Sequence, residues 1–457
     1  MGAHLYCEWF VRYPPLGLLY QASLFKKQGH DILLLDGELA GLTVEKILKL
    51  CKKFQPDILF STINIFNPQN EFKSLKILKD NLNCKLIARG HFPRLYPEQT
   101  ILNKHIDYAL TGKGFTASTE LIDKIARNQA TNNIKGIIYR TSDGKTVKTE
   151  DENQFDFNLL PMPARELIDN NIYNSALTLH DKFTTMTASI GCPYSCTYCI
   201  DKTIKYQSSS NEKIVLEMEE CQNKYKIKEI AFLDSTFTID RKKTIDLCNL
   251  IIKKRLKVKW VIRTRVDLVD EEIIDKLVEA GCISIHYGIE SGNQTILNNL
   301  NRKITLEQIR TAVTLTEKKG LLTLGFFMIG NKGETSKTIE DTINFAKEIP
   351  LHFAQFNVVL ALPETYMAEN IKLNTGRDLW LESYLGKDIP AHMWKPQETD
   401  LSYEELTSWS KKTMHAFYLR PAYILKMLKS KFTYSIIIQQ FRIIFLLLKI
   451  YIRKLLK

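Results

Sequence analysis

Between residues 185 and 360 of this 457-residue chain, six short apolar runs succeed one another, each followed by a stretch of helical periodicity. No other feature restricts the fold so strongly. The runs cover 185–189, 229–233, 259–264, 282–287, 322–329 and 354–360. Apolar runs of this length separated by helices read as the strands of a parallel sheet buried on both faces. Right-handed crossovers would curl such units into a partial (β/α)6 barrel, with its ligand site at the carboxyl ends of the strands.

A shorter alternation precedes it. From residue 13 to about 140, apolar runs at 32–35, 58–61, 85–88 and 137–140 are separated by helical stretches, again a parallel α/β pattern. In the helix over 43–54, Val44, Ile47, Leu48 and Cys51 fall on one stripe, which makes Cys51 a core residue. The expected organisation is an α/β domain over 1–140, a polar linker over 141–174, the barrel over 175–385 and a helical region over 386–457.

The unusual residues gather at the predicted strand ends. After the first barrel strand comes Ile190-Gly-Cys-Pro-Tyr-Ser-Cys-Thr-Tyr-Cys-Ile200. A zinc knuckle normally takes four ligands and shows a second cysteine or histidine pair, whereas only the isolated Cys221 and Cys248 follow here. Three thiolates instead suit a 4Fe-4S cluster with one iron open to a small chelating molecule. S-adenosylmethionine is the obvious candidate, since its amino and carboxylate groups can bind that iron.

Past the second strand, Asp234-Ser-Thr-Phe-Thr238 places a carboxylate where a cationic amino group would lie. The third strand ends in Arg263-Thr-Arg265, able to clamp a carboxylate, and the fourth in Gly288-Ile-Glu-Ser-Gly292, an acceptor for ribose hydroxyls. The fifth ends in Gly330-Asn-Lys-Gly-Glu-Thr335. A lone loop carboxylate or arginine is usually a solvated or ion-paired group, but five in phase with five strands are not a random scatter.

The cysteine spacing, with Tyr198 before the last cysteine, resembles the signature of the radical S-adenosylmethionine superfamily. Trp260-Val-Ile-Arg-Thr-Arg-Val-Asp267, the stretch from Gly281 to Gly292 and Gly325-Phe-Phe-Met-Ile-Gly330 resemble its members with an amino-terminal cobalamin-binding domain, as do Pro14-Pro-Leu-Gly-Leu-Leu-Tyr20 and Phe417-Tyr-Leu-Arg-Pro421. The similarity spans residues 13 to about 425. It implies a Rossmann-like cobalamin domain before the barrel, Cys192, Cys196 and Cys199 on the cluster, Tyr198 flanking it, and Asp234, Arg265 and Glu290 contacting S-adenosylmethionine. It places Ser61 and Gly90 near the cobalamin tail.

The implied reaction is methyl transfer to a carbon or phosphorus atom, here on a small or lipid-like molecule, with flavodoxin or ferredoxin as the electron donor. A radical cyclase or rearrangement enzyme with the same parts is the alternative, and a non-catalytic iron-sulfur accessory protein with a decayed cobalamin domain is another. The decay reading rests on departures from the family pattern. No clear apolar run precedes Tyr13, so the domain's first strand is expected to be missing; Glu38 stands in the histidine place of Asp36-Gly-Glu-Leu-Ala-Gly41. Arg89 precedes Gly90 where the family shows two glycines, Lys113 replaces an acid, Lys332 a proline and Glu364 a glycine. A second cluster on Cys7, Cys51 and Cys84 is disfavoured because Cys51 lies on a helical stripe.

Nine scattered cysteines and a start without an apolar leader point to the reducing cytoplasm. The net charge is +12, but residues 426–457 carry eight Lys and Arg and no acid, so the folded part offers no basic stripe for nucleic acid. The apolar run at 436–456 is broken by Gln439, Gln440, Arg442 and Lys449. That pattern suits an interfacial helix on an anionic leaflet better than a spanning one. His91, His180, His286 and His352 receive no ligand role, although His286 sits on a barrel strand and is able to face the lumen.

Overall fold

The computed structural model describes residues 11–37, 41–112, 115–152, 155–175, 177–394 and 398–429. The chain forms two compact units: Pro15–Asp169 with Asp378–Asp388, and Asn170–Arg377 with the flanking segments.

In the first unit, strands β1 (Ile58–Thr62), β2 (Lys85–Arg89) and β3 (Tyr108–Leu110) run parallel, and β4 (Ile137–Arg140) and β5 (Thr146–Lys148) add an antiparallel hairpin beside β3. The alternate residues of β2 supply two cores. Leu86 and Ala88 pack with Phe72, Leu75 and Phe92, while Ile87 packs on the other face with Phe25, Leu121 and Ile137. Burial on both faces explains why these strands read as continuous apolar runs. The helix Val44–Phe54 is capped by the Thr43 side chain, buries Cys51 and leans Val44, Ile47 and Leu48 on the same core.

The strand expected at 32–35 is not one. The run pairs with no described segment, and β1 is an edge of its sheet. Residues 1–10, which hold Cys7, and Glu38 and Lys113 lie outside the described residues, as does the tail from 430 onward. Among the described residues no helix is long and apolar enough to cross a membrane.

In the second unit, β6 (Phe183–Met186), β7 (Glu229–Phe232), β8 (Lys259–Thr264), β9 (Cys282–Glu290), β10 (Leu322–Ile329) and β11 (Phe353–Val358) form one sheet in sequential order. Every neighbouring pair is parallel. Helices such as Arg241–Lys253, Glu271–Glu279 and Ser336–Glu348 connect successive strands. Met186, Ile230, Phe232, Trp260, Ile262, Ile285, Tyr287 and Phe327 turn into the main core, where the helices pack. Phe183, Ala231 and Val261 turn the other way and form a smaller cluster with Tyr13 and Ile283. One face of the sheet therefore carries the bulky side chains that hold the helices, and the other stays lean.

Two irregularities mark strand ends. The β9–β10 register shifts between Gly288 and Glu290, and Glu290 itself has φ +70°. Glu364, where the resemblance calls for glycine, has φ +63°, a left-handed conformation that glycine adopts at no cost.

Glu229 opens β7 fully buried. Its Oε2 accepts the backbone N–H groups of Leu179 (2.8 Å) and His180 (3.0 Å), while Oε1 has no partner among the described residues. Burial raises its pKa from about 4.5 to about 8, so the folded state keeps a proton that the unfolded chain has lost. The folded state binds more protons in this window, and the stability owed to this group therefore falls as pH rises from about 4.5 to about 8. The loss is at most about 1.4 kcal/mol per pH unit. Glu229→Gln should remove that component: urea midpoints at pH 5, 6.5 and 8 should fall less steeply for the variant, and parallel pH dependences would refute it.

Candidate active site

The cysteine loop is closed at its base by a short ladder between Ser189–Ile190 and Gln207–Ser208. Gly191 makes this possible. It has φ +73°, and a Cβ there would stand 2.3 Å from the Ile204 carbonyl oxygen. Cys196 is buried, and Cys192 and Cys199 are half-buried. Burial, with the nearby Asp201 carboxylate, pushes the Cys199 thiol up to about 11.

Later loops hold this one from several sides. Ser235 Oγ donates to Asp201 at 2.6 Å, Asn301 Nδ2 to the Ser195 carbonyl at 3.0 Å, and the Thr197 N–H to the Leu300 carbonyl at 3.3 Å. Thr236 Oγ1 lies 3.9 Å from Cys192 Sγ. The loops after β6, β7 and β9 thus meet at one end of the sheet.

Tyr198 Oη donates to Glu290 Oε1 at 2.9 Å. Burial, and then the Glu290 charge, holds its pKa well above the ordinary tyrosine value, so it stays a donor. Glu290 is buried and its own pKa is raised by that burial. Arg302, for which the sequence reading assigned no role, completes the group. Its Nη1 points at Cys196 Sγ at 3.6 Å, its Nη2 donates to the Gly288 carbonyl, and Glu290 Oε1 lies 3.9 Å away. Only its place in Asn299-Leu-Asn-Arg-Lys303, just ahead of the Thr305 capping box, marks it in the sequence.

Arg265 is buried at the end of β8, but its carboxylate-binding edge is already taken. Nε and Nη2 donate to the two oxygens of Asp267, both at 2.8 Å, and Nη2 also reaches the Arg302 carbonyl. The guanidinium carbon lies 3.9 Å from the Tyr194 ring centroid. What remains is Nη1, which is buried with no partner among the described residues, as is Arg302 Nε. Asp234, fully buried after β7, accepts from the Ala188 N–H at 3.0 Å and from Ser189 Oγ at 2.6 Å. These bonds tie the exits of β6 and β7 together, and burial pushes the carboxyl up to about 6. Glu334 closes the loop after β10 in the same way, accepting from the N–H groups of Gly330 and Asn331.

Ser61 and Gly90 belong to the other unit, at the carboxyl ends of its paired strands β1 and β2. Gly90 has φ +112°, and a Cβ there would stand 2.6 Å from the Ile63 carbonyl oxygen. Arg89, whose guanidinium carbon lies 5.8 Å from the Phe60 ring centroid and 5.5 Å from that of Phe115, keeps a buried Nη1 without a partner among the described residues.

These geometries bring three cysteines, a buried glutamate and two arginines together at one end of a parallel sheet. Residues 186–346 match the Radical SAM superfamily model. An uncharacterized methyltransferase of Pyrococcus horikoshii is 30% identical over 428 residues, which is 90% of this chain and 89% of that protein. The chain belongs to the radical SAM superfamily and is a radical SAM enzyme. It is also similar to the anaerobic magnesium-protoporphyrin IX monomethyl ester cyclase of Rubrivivax gelatinosus, 27% identical over 357 residues, covering 76% of this chain and 63% of that protein. The structure of the radical S-adenosylmethionine methyltransferase TsrM from Kitasatospora setae, with cobalamin and a 4Fe-4S cluster bound, matches 86% of this chain and 78% of that one at TM-score 0.67 and 18% identity, a likeness of fold.

The cysteine loop fits a cluster: three thiols on one loop, with a guanidinium N–H directed at one sulfur. Among the described residues no three His, Cys, Asp or Glu side chains converge on a single point as one metal ion requires. Cluster thiolates need no common point, because each meets a different iron. Hydrogen bonds and positive charge at the sulfurs set a cluster's potential. Arg302→Met should therefore shift the midpoint to more negative values in an EPR-monitored redox titration, with iron content unchanged. An unshifted midpoint would show that the guanidinium does not act on the sulfur.

Proposed function

We propose that the chain is a cobalamin-dependent radical S-adenosylmethionine methyltransferase acting on a small or lipid-like molecule. The observation that carries this reading is the meeting of the cysteine loop with Tyr198, Arg265, Glu290 and Arg302 at one end of the six-stranded sheet. Cys192, Cys196 and Cys199 hold the cluster. When bound, the cluster supplies the electron that cleaves S-adenosylmethionine to a 5'-deoxyadenosyl radical, and cobalamin supplies the methyl group.

The protein's own residues bind and orient. Arg265 Nη1 and Arg302 Nε are buried donors that need acceptors, and the carboxylate and ribose oxygens of S-adenosylmethionine provide them. The Tyr198 hydroxyl fixes Glu290 through one oxygen and leaves the other for a ribose hydroxyl. Asp234 sets the exit of β6 and is assigned to the amino group. Cobalamin is assigned to the unit Pro15–Asp169 with Asp378–Asp388, its tail against Ser61 and Gly90 with the Arg89 donor alongside. The sheet presents its carboxyl strand ends there, where α/β sheets take their ligands. Flavodoxin or ferredoxin is the electron source. The basic tail beyond residue 429 is read from its sequence as an interfacial anchor at the cytoplasmic leaflet.

A cyclase or rearrangement is the second reading, favoured by the similarity to the cyclase of Rubrivivax gelatinosus. Anaerobic turnover of S-adenosylmethionine by the reconstituted, reduced protein with methylcobalamin separates the two. Formation of both 5'-deoxyadenosine and S-adenosylhomocysteine is expected; 5'-deoxyadenosine alone would favour cyclisation, and neither product would overturn both. Removing residues 430–457 should abolish binding to anionic vesicles in a sedimentation assay, and retained binding would refute the anchor.

A further inference from the structure

The lean face of the six-stranded sheet carries a cavity lined by Tyr13, Phe183, Ala231, Val261, Arg263 and His286. Tyr13 packs on Phe183 with ring centroids 5.7 Å apart, and Ser175 and Thr178 add hydroxyls to the wall. Arg263 adds a charge. Its guanidinium touches the Tyr13 hydroxyl at 3.4 Å and stands 6.0 Å from the Phe326 ring centroid, and no described carboxylate lies within ion-pairing distance. Arg265, two residues further on and just past the strand, is closed by Asp267.

His286 sits beside Arg263 in the β8–β9 register and is buried. Its ring nitrogens bond to no described residue, and burial, with the Arg263 charge, pushes its pKa down to about 3. The imidazole is therefore neutral, and nothing in the cavity offsets the guanidinium. A half-buried guanidinium whose described acceptor is the Tyr13 hydroxyl keeps donors to spare, and its fork matches a carboxylate or phosphate in bidentate fashion.

The position along the strands matters as much as the charge. Arg263 lies one inward step before Arg265, and a step of two residues spans about 6.7 Å. A group held at Arg263 is thus one side-chain layer from the residues assigned to S-adenosylmethionine. We infer that the Arg263 guanidinium, beside this small cavity, is the anion subsite of the substrate: the substrate carries a carboxylate or phosphate that pairs with Arg263, flanked by Tyr13 and His286, and its reacting atom points toward the Arg265–Glu290 end of the sheet. Calling the ligand a substrate rests on the proposed function; the anion site stands on this geometry alone.

The test uses the full-length, cluster-reconstituted protein under anaerobic conditions, titrated calorimetrically with octanoate, octyl phosphate and neutral octanol. Wild type should bind an anion more tightly than octanol, and the tighter of the two anions identifies the head group. Arg263→Met should weaken anion binding by about tenfold or more and leave octanol unchanged. Its unliganded thermal midpoint should be equal to or above wild type, because an unpaired charge is lost. Arg263→Lys, which keeps the charge without the fork, should fall between the two and guards against a folding defect. Equal binding of octanol and both anions by wild type, absence of anion binding, or unchanged binding in Arg263→Met would overturn the inference. Anion binding without nucleoside products would retain the subsite while removing the methyltransferase reading; products without anion binding would do the reverse.

Discussion

A guanidinium buried beside a thiol needs acceptors, and Arg302 finds them on two elements: the Gly288 carbonyl and Glu290 on β9, and Cys196 on the loop after β6. Its backbone carbonyl in turn accepts from Arg265 just past β8. One side chain and one peptide group thus link the loop after β6 to the ends of β8 and β9. In a low-dielectric setting such links are strong when satisfied and costly when broken, so the arrangement is specified as a unit. The loop, the glutamate and the arginines keep their relative places because none can move without stranding another.

The same sheet divides its labour between its faces. The aromatic and branched residues of β7 to β10 point to the helices and form the main core, with Trp260 donating its indole N–H to the Ala280 carbonyl at 2.9 Å. The opposite face carries small residues, hydroxyls and a neutral histidine. Packing strength is concentrated on one side, which frees the other to carry Arg263 and His286, side chains a packed core would not retain.

Much of this was legible in the chain. The six apolar runs became six parallel strands because apolarity on both faces leaves few other places for a short segment. The cysteine loop and Glu290 were recognisable because spacing or strand phase marks them. The run at 32–35 has the composition of a strand yet pairs with no described segment, since a strand depends on a neighbour its own residues do not encode. Asp234 and Arg265 were found as residues, but their internal partners were not. Asp267 is two positions from Arg265 and reads as an ordinary turn acid, and the link from Asp234 to Ser189 crosses 45 residues. Arg302 left only a weak trace, because its role comes from a contact across 106 residues.

The shifted pairing between Gly288 and Glu290 has a consequence for how this end of the molecule tolerates change in length. A bulge absorbs one residue without altering the strands on either side. Insertions or deletions in the turn after Glu290 can therefore vary the rim of the site while β9 and β10 keep their pairing. A single-residue change before Gly288 would have the opposite effect. It would exchange the two faces of β9, turning His286 toward the helices and Tyr287 toward the cavity.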